Sequence, residues 1–261
     1  MALPVKLSDI KTEALCREEG VRASKLMLPG EIPGANVVSH AMLKGDTLCY
    51  AGQTELIRIF FLCEGELSFS AEGKSFAYAE KAVFVAKPQS DVEVFAHSDS
   101  MLLEIRWDMN ESDLADLAVS TAEFPVSAAY KDAMQYRDFF KSETTISRAI
   151  LPQTLIPRFA MGTVEMRGDD LVGQHSHPLL DQFFFSFPEN DMDLLIDCRI
   201  FHLGGNTLLH IPLGSNHGVI ARGEQRAHYL WIDCTPQSQK DEAVAYLNEV
   251  HKPTGEKAEL K

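Results

Sequence analysis

Apolar residues along this chain fall into short runs. The first half holds IRIFFLCEGELSFSA, KSFAYA and AVFVAK; the second holds FAMGTVEM, DQFFFSF, MDLLIDC, TLLHIPL, HGVIA and HYLWIDC. These runs are rich in β-branched and aromatic residues and are broken at Gly, Pro, Lys or Glu, which is the pattern of strands. Their near-even spacing predicts an all-β fold of barrel or sandwich type, without helical crossovers. Two segments differ. Within Gln239–His251, residues Ala243, Val244, Leu247 and Val250 share one helical face, which predicts a C-terminal helix. Ser112–Lys141 is mixed and contains Pro125, and it reads as a connector with room for a short helix.

The chain also repeats itself. LKGDTLCYAGQTELIRIFFL, from Leu43, matches MRGDDLVGQHSHPLLDQFFF, from Met166, with Lys44-Gly45-Asp46 on Arg167-Gly168-Asp169 and Phe60-Phe61 on Phe183-Phe184. AVFVAKPQSD, from Ala82, then matches TLLHIPLGSNH, from Thr207, and LLEIRWD and HYLWID close the halves at Asp108 and Asp233. A stable offset over four short matches indicates a duplication. The expected layout is an N-terminal barrel over 1–120, a connector over 121–146, a second barrel over 147–237 and a helix with its tail over 238–261.

Composition narrows the partners. The 261 residues carry a formal net charge of −14, spread along the chain, which repels nucleic acid and anionic lipid, so neither is expected as a partner. No run approaches the length of a membrane span, and the N-terminus shows no secretory signal. Cys16, Cys49, Cys63, Cys198 and Cys234 are odd in number and lack paired spacing, which points to a reducing compartment and a cytoplasmic location. Exposed strand edges leave room for a homodimer.

Candidate chemistry concentrates in GQHSHPLLDQFFF and IPLGSNH. In an extended chain His175 and His177 project from one face. His217 follows a Pro212-x-Gly214 turn about forty residues later and supplies a third imidazole from a nearby strand. Converging donors of this kind hold a divalent metal ion. A fourth donor comes from Gln182 or Asp181, which point to opposite faces; Gln182 is preferred, and it brings Phe184 and Ser186 inward with it. A carboxylate would be the better ligand, which favours Asp181.

The pattern Gly-x-HxHP-x-x-x-Q followed by IPxGxxH resembles the two motifs of the cupin superfamily, and the doubled chain resembles a bicupin. The resemblance implies two tandem jelly-roll β-barrels, with His175, His177, Gln182 and His217 as metal ligands in the second. The family's more usual third ligand is Glu. In the first half the internal alignment sets Gly52, Thr54, Ile59 and Asp91 at the four ligand places, so that half is expected to be metal-free and structural. His40 and His97 fall away from those places, and His202, His228 and His251 read as ordinary histidines.

Neutral ligands leave the ion's charge uncompensated, which favours anionic or chelating oxygens on a small molecule. Fe, Mn, Ni and Zn all accept this donor set. The expectation is an enzyme acting on a small oxygen-rich or anionic metabolite by dioxygenase-type or isomerase/hydrolase-type chemistry. The alternative is a non-catalytic small-molecule or sugar sensor. His210 and Glu165 are the candidates for a catalytic acid or base, and Arg199, Trp231 and Arg158 for substrate contacts.

Overall fold

The structure is a computed structural model that describes residues 10–15, 18–177, 179–197 and 199–236, and the backbone of 252–257. The helix expected over Gln239–His251 lies outside the described residues. The chain forms two compact units, Leu15–Asp132 and Met1–Ala14 with Ala133–Lys261.

Each unit is built from a larger and a smaller antiparallel layer. In the Leu15–Asp132 unit the larger layer runs Val126–Ala129, Ala82–Val85, Leu56–Glu64, Ser100–Asp108, Ala35–Met42, Ala23–Met27. The smaller runs Thr47–Tyr50, Val92–Ala96, Leu67–Ala71, Lys74–Tyr78. Phe60, Phe69, Phe84, Val94 and Leu102 are fully buried in its core. Alternation drives this: Phe60 and Leu62 on Leu56–Glu64, and Leu67, Phe69 and Ala71 on Leu67–Ala71, fall at every second position and share one interior cluster.

The other unit repeats the order. Its larger layer runs Lys11–Ala14, Thr207–Ile211, Asp181–Ser186, Arg226–Cys234, Phe159–Arg167, Ile146–Ile156, Met134–Arg137, Lys252–Lys257. Its smaller layer runs Asp170–Ser176, Asn216–Ala221, Asp191–Ile196, Arg199–Gly204, and joins the larger one where Asp191 meets Arg226. Phe184, Met192, Leu194, Leu209, Val219 and Trp231 are among its core residues. The duplication read in the sequence is therefore also a duplication of strand order, in the jelly-roll arrangement of facing sheets.

The boundaries differ from the expected layout. Lys11–Ala14 pairs with Thr207–Ile211, so this N-terminal strand belongs to the second unit. It covers a sheet edge that would otherwise present unpaired backbone groups. The segment expected as a connector holds strands of both units: Val126–Ala129 pairs with Ala82–Val85, and Met134–Arg137 pairs with Ile146–Ile156. A helix does form nearby, Glu111–Val119, started by Asn110 and Asp113 capping each other's backbone N–H.

Candidate metal centre

His175 is the last residue but one of the strand Asp170–Ser176 and is the direct cross-strand partner of His217 on Asn216–Ala221. The pairing register shifts between Val172 and His175, a bulge that re-aims the end of the strand. Gly218 makes this approach possible, because a Cβ there would stand 2.7 Å from the Val172 carbonyl oxygen. Pro212, Leu213, Gly214 and Ser215 form the expected turn: Ser215 N–H donates to the Pro212 carbonyl at 3.0 Å, and Gly214 takes the positive φ of 77° that a type II turn requires. Gly214 N–H also donates to the His177 carbonyl at 3.2 Å, tying the turn to the HxH segment.

The three imidazoles converge. Ligand nitrogens of His175, His177 and His217 lie within 4.8 Å of one another, close enough for small ring rotations to bring all three onto one ion. His175 Nδ1 meets the Gly173 carbonyl at 2.8 Å and His217 Nδ1 meets the Ser215 carbonyl at 3.1 Å. A carbonyl only accepts, so each Nδ1 carries the proton and each Nε2 keeps its lone pair for a ligand. Burial lowers the His175 pKa to about 3, helped by the neighbouring His217, and lowers that of His217 to about 4. Both rings are therefore neutral near neutral pH, the form that binds metal.

Gln182 completes the group. It is 4% exposed and lines the same small cavity as the three histidines. Its Nε2 donates to Asp233 Oδ1 at 2.7 Å, which leaves Oε1 buried and without a hydrogen-bond partner. His217 Nε2 is likewise buried and unpartnered. Two acceptors left this way would each cost about 1–3 kcal/mol, and a cation is the natural partner for both. The donor set thus fits a divalent ion. Asp181 faces the other way, accepting from Leu213 N–H at 2.9 Å and lying 3.4 Å from His210 Nε2.

The remaining candidates divide. Trp231 lines the cavity. His210 does not: it stands in register with Phe183, on the face opposite Gln182 and its partner Ile211. Glu165 is also outside, between Arg226 at 2.8 Å, Arg167 at 3.5 Å and Arg148 at 3.6 Å. Burial would raise its pKa, but the charges of His228 and Arg226 outweigh that and hold the carboxyl below its usual range. Arg199 is exposed, and Arg158 donates to the Thr235 carbonyl; neither lines the cavity.

Four lining residues, Tyr136, Asp138, Phe140 and Lys141, carry no motif and all come from the segment read as a connector. Phe140 stacks on His175 with ring centroids 3.8 Å apart. Lys141 is buried and ion-paired with Asp138, and its ammonium also donates to Tyr136 Oη at 3.3 Å and Ser147 Oγ at 3.1 Å. Burial lowers the Lys141 pKa, against the opposing pull of Asp138. The cavity measures about 30 Å³, room for an ion or a water and little more.

No protein-family model and no curated protein matches the chain. Solved structures do. A cupin 2 conserved barrel domain protein from Leptotrichia buccalis superposes over 87% of this chain and 96% of its own, with TM-score 0.57 and 13% identity. The oxalate decarboxylase formate complex of Lactobacillus farciminis does so over 90% and 87%, with TM-score 0.63 and 14% identity. This chain has the cupin fold. Protein Ylba from E. coli shares that cupin fold over 88% of this chain and 92% of its own, with TM-score 0.67 and 12% identity.

Among the described residues, the His175–His177–His217 group is the one cluster of this kind. Gly52 N–H donates to Asp91 Oδ1 at 2.9 Å, and Thr54 Oγ1 accepts from Gln89 at 3.5 Å. The gapless alignment that set Ile59 against Gln182 is one residue out. Phe60 and Leu62 belong to the interior cluster, so Arg58 shares their face and Ile59 points away.

Proposed function

We propose that this cupin-fold chain is a bicupin that binds one divalent metal ion in its second unit, through His175, His177, His217 and Gln182, and acts on a small anionic or oxygen-rich metabolite. One observation carries the reading: three imidazoles and an amide oxygen share a single buried cavity, and two of their acceptor atoms have no protein partner. Fe, Mn, Ni and Zn all suit these ligands. When bound, the ion would polarise an oxygen ligand and, if redox-active, support oxygen chemistry of the dioxygenase type.

The chain's own residues set the charge and shape. Asp138 and Asp233 outnumber Lys141 by one charge around the cavity, and a divalent ion reverses that sign. The loaded site then favours a monoanion such as a carboxylate or enolate. A small carboxylate is also the ligand in the Lactobacillus farciminis neighbour, a formate complex. Phe140, Phe184, Trp231 and Val172 exclude water. Lys141, held by Asp138 and Tyr136, is placed to move or hold a proton at Nζ for isomerase- or hydrolase-type chemistry.

The cytoplasmic location and homodimer belong to the same reading. Cys49, Cys63 and Cys234 are free thiols, in keeping with a reducing compartment. No helix of the described residues is long and apolar enough to cross a membrane.

Elemental analysis of protein purified without added metal or a histidine tag tests the reading. It is followed by oxygen-uptake and substrate-loss assays with oxalate, a 2-keto acid and a β-diketone. One ion per chain, with turnover of one probe and loss of both in His217→Ala, is the expected result. A tightly held ion without turnover of any probe favours the small-molecule sensor. Metal content unchanged in His217→Ala overturns the ligand set.

A further inference from the structure

The interior face of the Leu15–Asp132 unit carries fixed charge where the other unit carries its ligand set. Phe60 and Leu62 point into the core from Leu56–Glu64, so Arg58 faces the same way. Leu102 points inward from Ser100–Asp108, and Glu104 and Arg106 follow it on that face. Arg58 and Arg106 are direct cross-strand partners. On the corresponding two strands of the other unit, the direct partners are Gln182 and Asp233.

Glu104 holds the two guanidinium groups together. It accepts from Arg58 Nε at 3.1 Å and from Arg106 at 2.8 and 3.0 Å. Its second oxygen also meets His40 Nε2 at 3.0 Å, and His40 Nδ1 meets Ser24 Oγ at 2.7 Å. The Tyr50 ring lies against Arg58, 5.1 Å from ring centroid to guanidinium carbon. Glu104 is completely buried, whereas the Arg58 side chain is 15% exposed and that of Arg106 38%.

Like charges directly opposite each other weaken a sheet pair. One carboxylate compensates only one of the two guanidiniums, so a positive charge is left over, in a chain whose net charge is −14. Arg106 spends Nε and one Nη on Glu104, and its side chain is 38% exposed. A guanidinium in this state is suited to a planar oxyanion. Tyr50 and Ala51, both touched by Arg58, also wall an open hollow of about 630 Å³, whose lining further includes Lys74, Asp91 and Glu93 but neither arginine.

We propose that the Leu15–Asp132 unit binds a small carboxylate at Arg106 and Arg58, the guanidinium charge standing where the other unit is read to use a metal ion. The site needs no metal, so it stands or fails separately from the metal centre.

The test uses the full chain stripped of metal with a chelator, then dialysed and titrated with oxalate, with sulfate as the comparison anion. Wild type binds one oxalate per chain, more tightly than sulfate. Arg106→Gln weakens oxalate binding about tenfold or more. Glu104→Gln, which removes the competing carboxylate, strengthens it; a merely structural role for the cluster would not produce that opposite pair of effects. Where a variant does not fold, a wild-type crystal soaked in oxalate replaces it, and oxalate density on Arg106 supports the site. No oxalate bound to the stripped protein, or equal affinity in Arg106→Gln, overturns it. Sulfate bound as tightly as oxalate means an adventitious ion only, and also overturns it.

Discussion

Gln182 Nε2 donates to Asp233 Oδ1 across 2.7 Å, and the two residues are direct cross-strand partners. The carboxylate can only accept, so it orients the amide and frees Oε1 for a cation. Asp233→Asn removes that directional constraint while keeping size. The expected outcome is a metal affinity lowered about 10- to 100-fold with stoichiometry unchanged, measured by competition with a chelator of known affinity. Unchanged affinity would show that Asp233 does not set the orientation of Gln182.

The Phe140 ring, stacked on His175, closes the cavity from one side. Phe140→Ala opens that side without touching a ligand atom. The ion then leaves faster on addition of excess chelator, while the equilibrium content stays at one per chain. Stopped-flow mixing with a chromogenic chelator reads the rate.

Lys141 and Asp138 form a buried ion pair beside the site. Removing one partner alone strands a charge in a dry environment. Lys141→Met is therefore expected to cost about 3–5 kcal/mol of stability, and adding Asp138→Asn should restore much of it. Denaturant midpoints of the two singles and the double complete the cycle. Equal losses in Lys141→Met and the double would remove the charge argument.

In the unfolded chain His175 and His217 titrate near the ordinary value of about 6.5. Burial holds them at about 3 and about 4 in the folded protein. Below about pH 6.5 the unfolded state therefore binds more protons, and stability falls as pH drops toward the folded values. Each histidine contributes at most about 1.4 kcal/mol per pH unit in that window. Thermal melts of metal-free wild type and of the His175→Gln/His217→Gln double variant, compared between pH 7 and pH 4, isolate this part. The wild type should lose stability more steeply.

Much of the site was legible because its chemistry is local in sequence. His175 and His177 share a face by strand alternation alone, and Pro212 and Gly214 announce the turn that aims His217. Parity also separated Gln182 from Asp181, since a strand side chain has only two faces to choose from. Lys141, Asp138 and Tyr136 were not legible: they reach the cavity from a segment without strand periodicity, brought there by the pairing of Met134–Arg137 with Ile146–Ile156 and by a bridge between Lys141 and Val172. Lys11–Ala14, sequence KTEA, failed for a similar reason, being a short polar edge strand defined by its partner. The misplacement of Ile59 came from an alignment offset that drifts between 123 and 126, and one residue of drift exchanges the inner and outer faces.

The central claim is that three imidazoles and one amide oxygen of the second unit hold a single divalent ion. Anomalous scattering at the Mn, Fe, Ni and Zn edges tests it most directly, on crystals of untagged protein grown without added metal. The account predicts one peak per chain, bounded by His175, His177, His217 and Gln182, with none near Asp91. A second peak in the Leu15–Asp132 unit, or no peak among these residues even after soaking in excess metal, would contradict it.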